Sequence, residues 1–289
     1  MNVRQPVQAG GFYEASPDAC RRHAAKLLAA AQAPQDLPSP LYGGLVPHAG
    51  WMYSGSLAAL TIKAIAAGGM PTVVLFGADH TGSVRKGEVY ESGAWRTPLG
   101  DVPIDEELAA ALLAESDCLR ANGQAHAREH SLEVQIPLLQ LAQPSVKIVP
   151  IAVPPTPLAV QIGRAVGKTL AAKFTKARII GSTDLTHHGG HFGSPGGHGE
   201  VGVKWTQRND RRMIDLIEAL AADEVITEAD AQGNACGAGA VAAAIAATKE
   251  VGATRGICLA YTNSYRVVHE KYPYELDDTT VGYASVVFA

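Results

Sequence analysis

The amino-acid sequence predicts a single-domain α/β sandwich over residues 1–289, with a mostly parallel or mixed central sheet flanked by helices. Short, unbroken apolar runs such as Thr72–Gly77 and Lys147–Val153 have the length and hydrophobicity of strands buried on both faces. Longer segments with helical patterning separate these runs, so strands and helices alternate along the chain. A chain of 289 residues with 47% apolar and 18% charged side chains is an ordinary globular composition and can bury a sizeable core.

The opening stretch, Arg4 to Tyr13, reads as irregular and glycine-containing. Ser16-Pro17-Asp18 then starts a helix through about Ala31, with serine as the cap and proline where a missing N–H is harmless. Pro34, Pro38 and Pro40 mark a loop before the first strand, which closes at Val46-Pro47 and delivers His48. Gly50 allows a tight turn, and Ser54 or Ser56 is expected to cap a helix from Leu57 to Ala67. The second strand, Thr72–Gly77, leads to Asp79 and His80.

Glu88 to Pro98 reads as an extended pair or edge segment, and Ile104 to Glu115 as a helix with acidic residues near its positive end. Ser131 is expected to cap the next helix, in which Pro137 removes a backbone bond and introduces a kink. A strand at Lys147–Val153, an amphipathic helix at Leu158–Phe174 and a strand at Arg178–Asp184 follow. The Gly- and His-rich stretch Asp184–His198 suits a loop over a site. Helices at about Val203–Ala221 and Asn234–Thr248 precede strands at Gly256–Tyr265 and Gly282–Phe288, and no internal repeat is present.

The net charge of −4 and a pI near 6.2, with no basic stripe carrying interleaved aromatics, argue against a nucleic-acid partner. The N-terminal stretch has no apolar core of the signal-peptide kind, and no run is long enough to span a bilayer, so a cytoplasmic protein without membrane attachment is expected. Cys20, Cys118, Cys236 and Cys258 are too far apart for a CxxC pair and read as reduced thiols.

Two histidines at strand ends point to one shared site, because open α/β sheets bind ligands beyond the carboxyl ends of their strands. Asp184 and His187 follow another strand and could join them. A competing signal is His126-Ala-Arg-Glu129-His130, which has the H-x-x-E-H spacing of a zinc peptidase. That reading needs a regular helix to bring both histidines to one ion, whereas Asn122-Gly123 before it and Ser131 after it favour a loop.

Several blocks occur together in order: Gly-Leu-Val-Pro-His48-Ala-Gly, Gly-Ala-Asp-His80-Thr-Gly, Glu-His130-Ser-Leu-Glu133-Val-Gln, Ser-Thr-Asp184-Leu-Thr-His187 and Asn-Ala-Cys236-Gly. With the opening Arg-Gln-Pro-Val-Gln-Ala-Gly and the closing Gly-Tyr-Ala-Ser-Val-Val-Phe, they make nearly the whole chain resemble the Memo family. Its bacterial and archaeal members are called the B component of the AmmeMemoRadiSam system, and its fold is similar to LigB-type extradiol dioxygenases.

The resemblance implies metal ligation by His48, His80 and Cys236, with Asp184 and His187 lining the same cleft. His187 would then be the acid/base and Asp184 its orienting partner, while His130, Glu133 and Tyr53 would contact substrate or support the ligands. The dioxygenases hold ferrous iron with two histidines and a glutamate. Fe(II) is therefore the expected metal, although a thiolate in the third position also suits copper or zinc. A thiolate near a metal and at a helix start is further expected to have a lowered pKa. The resemblance implies a redox or dioxygenase-like enzyme acting on a small molecule, with other AmmeMemoRadiSam proteins as partners. The alternatives are phosphopeptide binding in the same cleft and zinc hydrolysis through His126, Glu129 and His130.

Overall fold

The computed structural model describes residues 2–272 and 279–289. Its strands are β1 (Val3–Arg4), β2 (Gly43–Val46), β3 (Thr72–Gly77), β4 (Gly87–Val89), β5 (Ala94–Thr97), β6 (Gly100–Pro103), β7 (Leu119–Ala121), β8 (Lys147–Ala152), β9 (Arg178–Ser182), β10 (His187–His188), β11 (Gly256–Asn263) and β12 (Thr280–Phe288). The helices are α1 (Pro17–Ala30), α2 (Trp51–Ala66), α3 (Glu106–Glu115), α4 (Ile136–Ala142), α5 (Leu158–Lys173), α6 (Gly199–Glu218), α7 (Val225–Gln232), α8 (Ala238–Glu250) and α9 (Ser264–Lys271).

The fold is the expected α/β sandwich with a mixed sheet. The apolar runs β2, β9, β3 and β8 lie side by side and parallel, so their carboxyl ends open on one edge of the sheet. Antiparallel β12 continues the sheet beyond β2, and β4 with β7 continues it beyond β8. A separate three-stranded sheet of β1, β5 and β6 carries the N-terminal residues.

Helix α8 explains how the centre of the sheet is covered. Its run Ala238–Thr248 is buried throughout, and its many alanines let it press between α5 and strands β9, β3 and β2. The approach is so close that a Cβ on Gly163 of α5 would stand 2.2 Å from the Ala243 carbonyl oxygen. Glycine is therefore required there.

Several elements differ from expectation. Helix α2 starts at Trp51 after Gly50, so Ser54 lies inside the first turn and donates its hydroxyl to the Ala49 carbonyl instead of capping. Ser131 caps nothing: its Oγ accepts the Ala78 N–H, and a 3₁₀ turn at Glu133–Gln135 leads into α4. Pro137 falls in the first turn of α4, where no intrahelical bond needs its N–H, and so produces no internal kink. Within the expected loop after Asp184, β10 pairs with β12. Helices α7 and α9 were not anticipated. Asn263 ends β11 and caps α9 by accepting the Arg266 N–H, which puts Tyr265 in a helix and not in a strand.

Candidate metal centre

The shared edge of the parallel strands gathers side chains that are distant in sequence. His48 follows β2, His80 follows β3, Asp184 follows β9, and Cys236 lies on the turn leading to α8. One ring nitrogen from each of His48 and His80, together with Cys236 Sγ, lie within 4.8 Å of one another. Cys236 reaches this point because a glycine follows it: a Cβ on residue 237 would stand 2.3 Å from the Ser182 carbonyl oxygen at the end of β9. The Asp184 N–H donates to Cys236 Sγ at 3.3 Å, and the Cys236 N–H donates back to the Asp184 carbonyl.

The hydrogen bonds set the tautomers of both histidines. Ser182 gives its hydroxyl proton to the Ser131 carbonyl at 2.8 Å, so it accepts from His48 Nδ1 at 2.9 Å. His48 Nε2 therefore carries the lone pair, and it lies 3.2 Å from Cys236 Sγ. His80 donates from Nδ1 to Glu129 Oε1 at 2.9 Å, which likewise leaves Nε2 as its available donor atom.

Glu129, Glu133 and Arg4 build the support behind these ligands. Glu129 Oε1 also accepts from the N–H groups of His130 and Ser131, and Oε2 accepts from the His80 N–H. His80, Glu129 and His130 are close enough to hold an ion. With so many donors already on its carboxyl group, however, Glu129 serves better as the partner that orients His80 than as a ligand. Arg4 donates to the carbonyl oxygens of His126 and Glu129, pairs with Glu133, and lies 4.4 Å over the Trp95 ring. Gln135 donates its amide to the Pro47 carbonyl, which ties the same loop to the residue before His48.

The electrostatics follow from burial opposed by partners. Burial, followed by the neighbouring His80 and His130, pushes the pKa of His48 well below the imidazole range. Burial would also lower His80, but its hydrogen bond and charge interaction with Glu129 win, and its pKa is raised. Burial would raise Glu129; the His80 bond and the backbone N–H groups instead hold it well below the usual carboxylate range. Burial pushes Asp184 up to about 7 although it accepts the His48 N–H at 2.7 Å.

His187 donates from Nδ1 to the Leu185 carbonyl at 3.0 Å, leaving an unprotonated Nε2. Burial lowers its pKa, so the neutral form that can accept a proton dominates at neutral pH. These groups open on a cavity of about 720 Å³, a volume ordinary for a small-molecule site. His48, His80, His130, His187, Asp184 and Tyr53 are in its wall, with Phe12, Trp51, Phe192 and Tyr283 supplying aromatic surface.

A family model described as Memo-like protein matches residues 4–287. A MEMO1 family protein of Methanopyrus kandleri is 36% identical over 296 residues, covering 99% of this chain and 98% of its own. One from Methanothermobacter thermautotrophicus is 36% identical over 295 residues, covering 98% of this chain and 99% of its own. A third, from Pyrobaculum aerophilum, is 33% identical over 296 residues, with 100% and 99% covered. The chain belongs to the Memo family.

In this Memo chain Asp184 is not the orienting partner expected for His187: the His187 Nδ1 donates to the Leu185 carbonyl, and the Asp184 carboxyl group accepts the His48 N–H. Of the two roles expected for Glu133, the contacts favour support over substrate contact: it is absent from the cavity wall and buried, accepting from Arg4, from the N–H groups of Val7 and Gln8, and from the Tyr13 hydroxyl. As the loop reading of the H-x-x-E-H stretch expects, His126 and His130 do not share a site. His126 ends a 3₁₀ turn, packs against Tyr90 and Trp95, and donates from Nε2 to the Glu88 carbonyl, while burial lowers its pKa to about 4. With no cation beside it, the Cys236 thiol has its pKa raised by burial and then by the Asp184 carboxyl group, so a lowered pKa there depends on a bound metal.

Sequence reasoning missed Ser182, the His48 partner, and the Glu14–His23 pair in the cavity wall. It read Glu129 only as part of the H-x-x-E-H spacing. A search for the acidic partner that orients a candidate ligand histidine would have pointed to it.

Proposed function

We propose that this Memo chain is a metal-dependent redox enzyme that holds one transition-metal ion, Fe(II), through His48, His80 and Cys236. The observation that carries the reading is the convergence of two histidines, each with Nδ1 engaged and Nε2 available, on a cysteine sulfur. Bonds of roughly 2.0–2.3 Å to nitrogen and sulfur bring such donors about 3–4 Å apart, so the three residues fit an ion with little rearrangement. Two imidazoles and a thiolate suit iron, copper or zinc, and the resemblance to LigB-type dioxygenases favours iron.

An ion held by His48, His80 and Cys236 would supply one-electron chemistry and Lewis acidity. Glu129 holds the His80 ring in position, and Ser182 does the same for His48. His187 accepts a proton at Nε2 from a hydroxyl or thiol of the substrate and returns it to the product. Asp184 anchors the turn at His48 by accepting its N–H.

Metal analysis of anaerobically purified protein tests this reading. Near-stoichiometric iron is expected, falling sharply in His48→Ala and His80→Ala. Stoichiometric zinc or copper would change the metal assignment, and metal content unchanged in both variants would overturn the site. Co-purification with other AmmeMemoRadiSam proteins, the partners we propose for the chain, tests its place in that system.

A further inference from the structure

We propose that the cavity of this metal site selects an arylalkylamine, a ligand with an aromatic ring and a cationic amine, over anionic aromatic compounds. The inference rests on the cavity described above and adds the chemical class of its occupant. Among the described residues the wall contains no lysine or arginine, and its side-chain carboxyl groups belong to Glu14 and Asp184. An anionic head group would therefore find no fixed cationic side chain outside the histidine cluster, whereas a cation finds an acidic partner.

Glu14 is the acidic group suited to that role. Its Oε1 accepts from His23 Nδ1 at 2.7 Å, while Oε2 has no hydrogen-bond partner within the protein. Oε2 itself is buried, but the side chain as a whole keeps 37% of its surface open, so turning the carboxyl group brings the unfilled acceptor to a ligand. Asp184 is engaged differently, because its oxygen accepts the His48 N–H. The acceptor left unfilled by the protein is thus on Glu14, and an ammonium group supplies the missing donors.

The walls fit the rest of such a molecule. The His23 ring packs edge-on against Trp51, with centroids 5.4 Å apart, so the Glu14–His23 pair adjoins the aromatic surface. Trp51, three residues from His48, is buried behind this wall, and Phe12, Tyr53 and Phe192 are the aromatic residues that keep surface open on the cavity. Aromatic faces stack on a planar ring and attract a cation beside it, and a nearby carboxylate completes the recognition of an amine.

Tyramine and 4-hydroxyphenylacetate provide the test, because they share a ring and a hydroxyl group and differ in the charge at the end of the side chain. Their binding is measured by calorimetry on the full chain, with metal content determined on the same samples and phosphotyrosine as a third probe. Tyramine is expected to bind about tenfold more tightly than 4-hydroxyphenylacetate, with the ratio falling to about twofold or less in Glu14→Gln. Equal or tighter binding of either anionic probe, or a preference that survives in Glu14→Gln, would overturn the proposal. Metal without amine preference counts against this inference alone; amine preference without metal counts against the metal reading alone.

Discussion

The sulfur of Cys236 lies 3.2 Å from Nε2 of His48, although 188 residues separate the two in sequence. Burial raises the thiol pKa, so in the absence of an ion the pair is a neutral thiol beside a neutral imidazole. A cation reverses that preference by stabilising the thiolate. Cys236→Ala should therefore lower metal affinity by more than about 100-fold, beyond the range typical of losing a supporting residue. Cobalt substitution gives the readout: the sulfur-to-metal absorption in the near ultraviolet should vanish in the variant. Its persistence would exclude Cys236 as a ligand.

Glu129→Gln tests the support around His80. The amide keeps the size of the side chain but loses the charge and some of the acceptor capacity used by His80 Nδ1 and three backbone N–H groups. Metal affinity should fall by about 10–100-fold while the protein stays folded. Competition with a chelator measures this, and wild-type affinity in the variant would show that Glu129 does not position His80.

His126→Ala separates the two metal readings. His126 is fully buried against Tyr90 and Trp95, so its loss should destabilise the fold by about 2–4 kcal/mol through the cavity left behind. Metal content should stay at the wild-type level. A folded His126→Ala protein without metal would return zinc hydrolysis to first place.

Asp210 gives a pH signature away from the metal. It accepts the Thr186 N–H and the Tyr261 hydroxyl, and burial raises its pKa from 3.8 to about 6. The folded state therefore holds this proton more tightly than the unfolded chain. The associated stability is fully present below pH 4 and is lost as pH rises through about 6, a change on the order of 2–3 kcal/mol. Asp210→Asn removes that dependence. Urea denaturation should show the variant gaining on wild type between pH 4 and 7, and a flat or opposite difference would contradict the assignment.

The strand-end histidines were legible because β2 and β3 are unbroken apolar runs, and such runs stop where the site begins. The linkage of Cys236 to them came from family blocks, since no local pattern reveals that Gly237 lets the turn press against Ser182. The His126–Glu129–His130 spacing specifies a zinc site only if a helix is present, and the chain here forms the loop that Asn122-Gly123 and Ser131 suggest, held by the contacts of Arg4. Helix α9 was hidden by the long β-prone stretch before it; its start depends on the side chain of Asn263. Glu14 and His23 carried no sequence signal, because they meet only when the irregular opening folds beside α1.

The position of β12 has a consequence for biosynthesis. This strand is made after all the others, yet it sits between β11 and β2. While a ribosome is still translating the preceding residues, β2 has no partner on that side, and its unpaired edge is open to other nascent chains. A transcript truncated before Thr280 would therefore release a polypeptide with His48, His80 and Cys236 but no completed sheet to hold them, a substrate for chaperones and proteases.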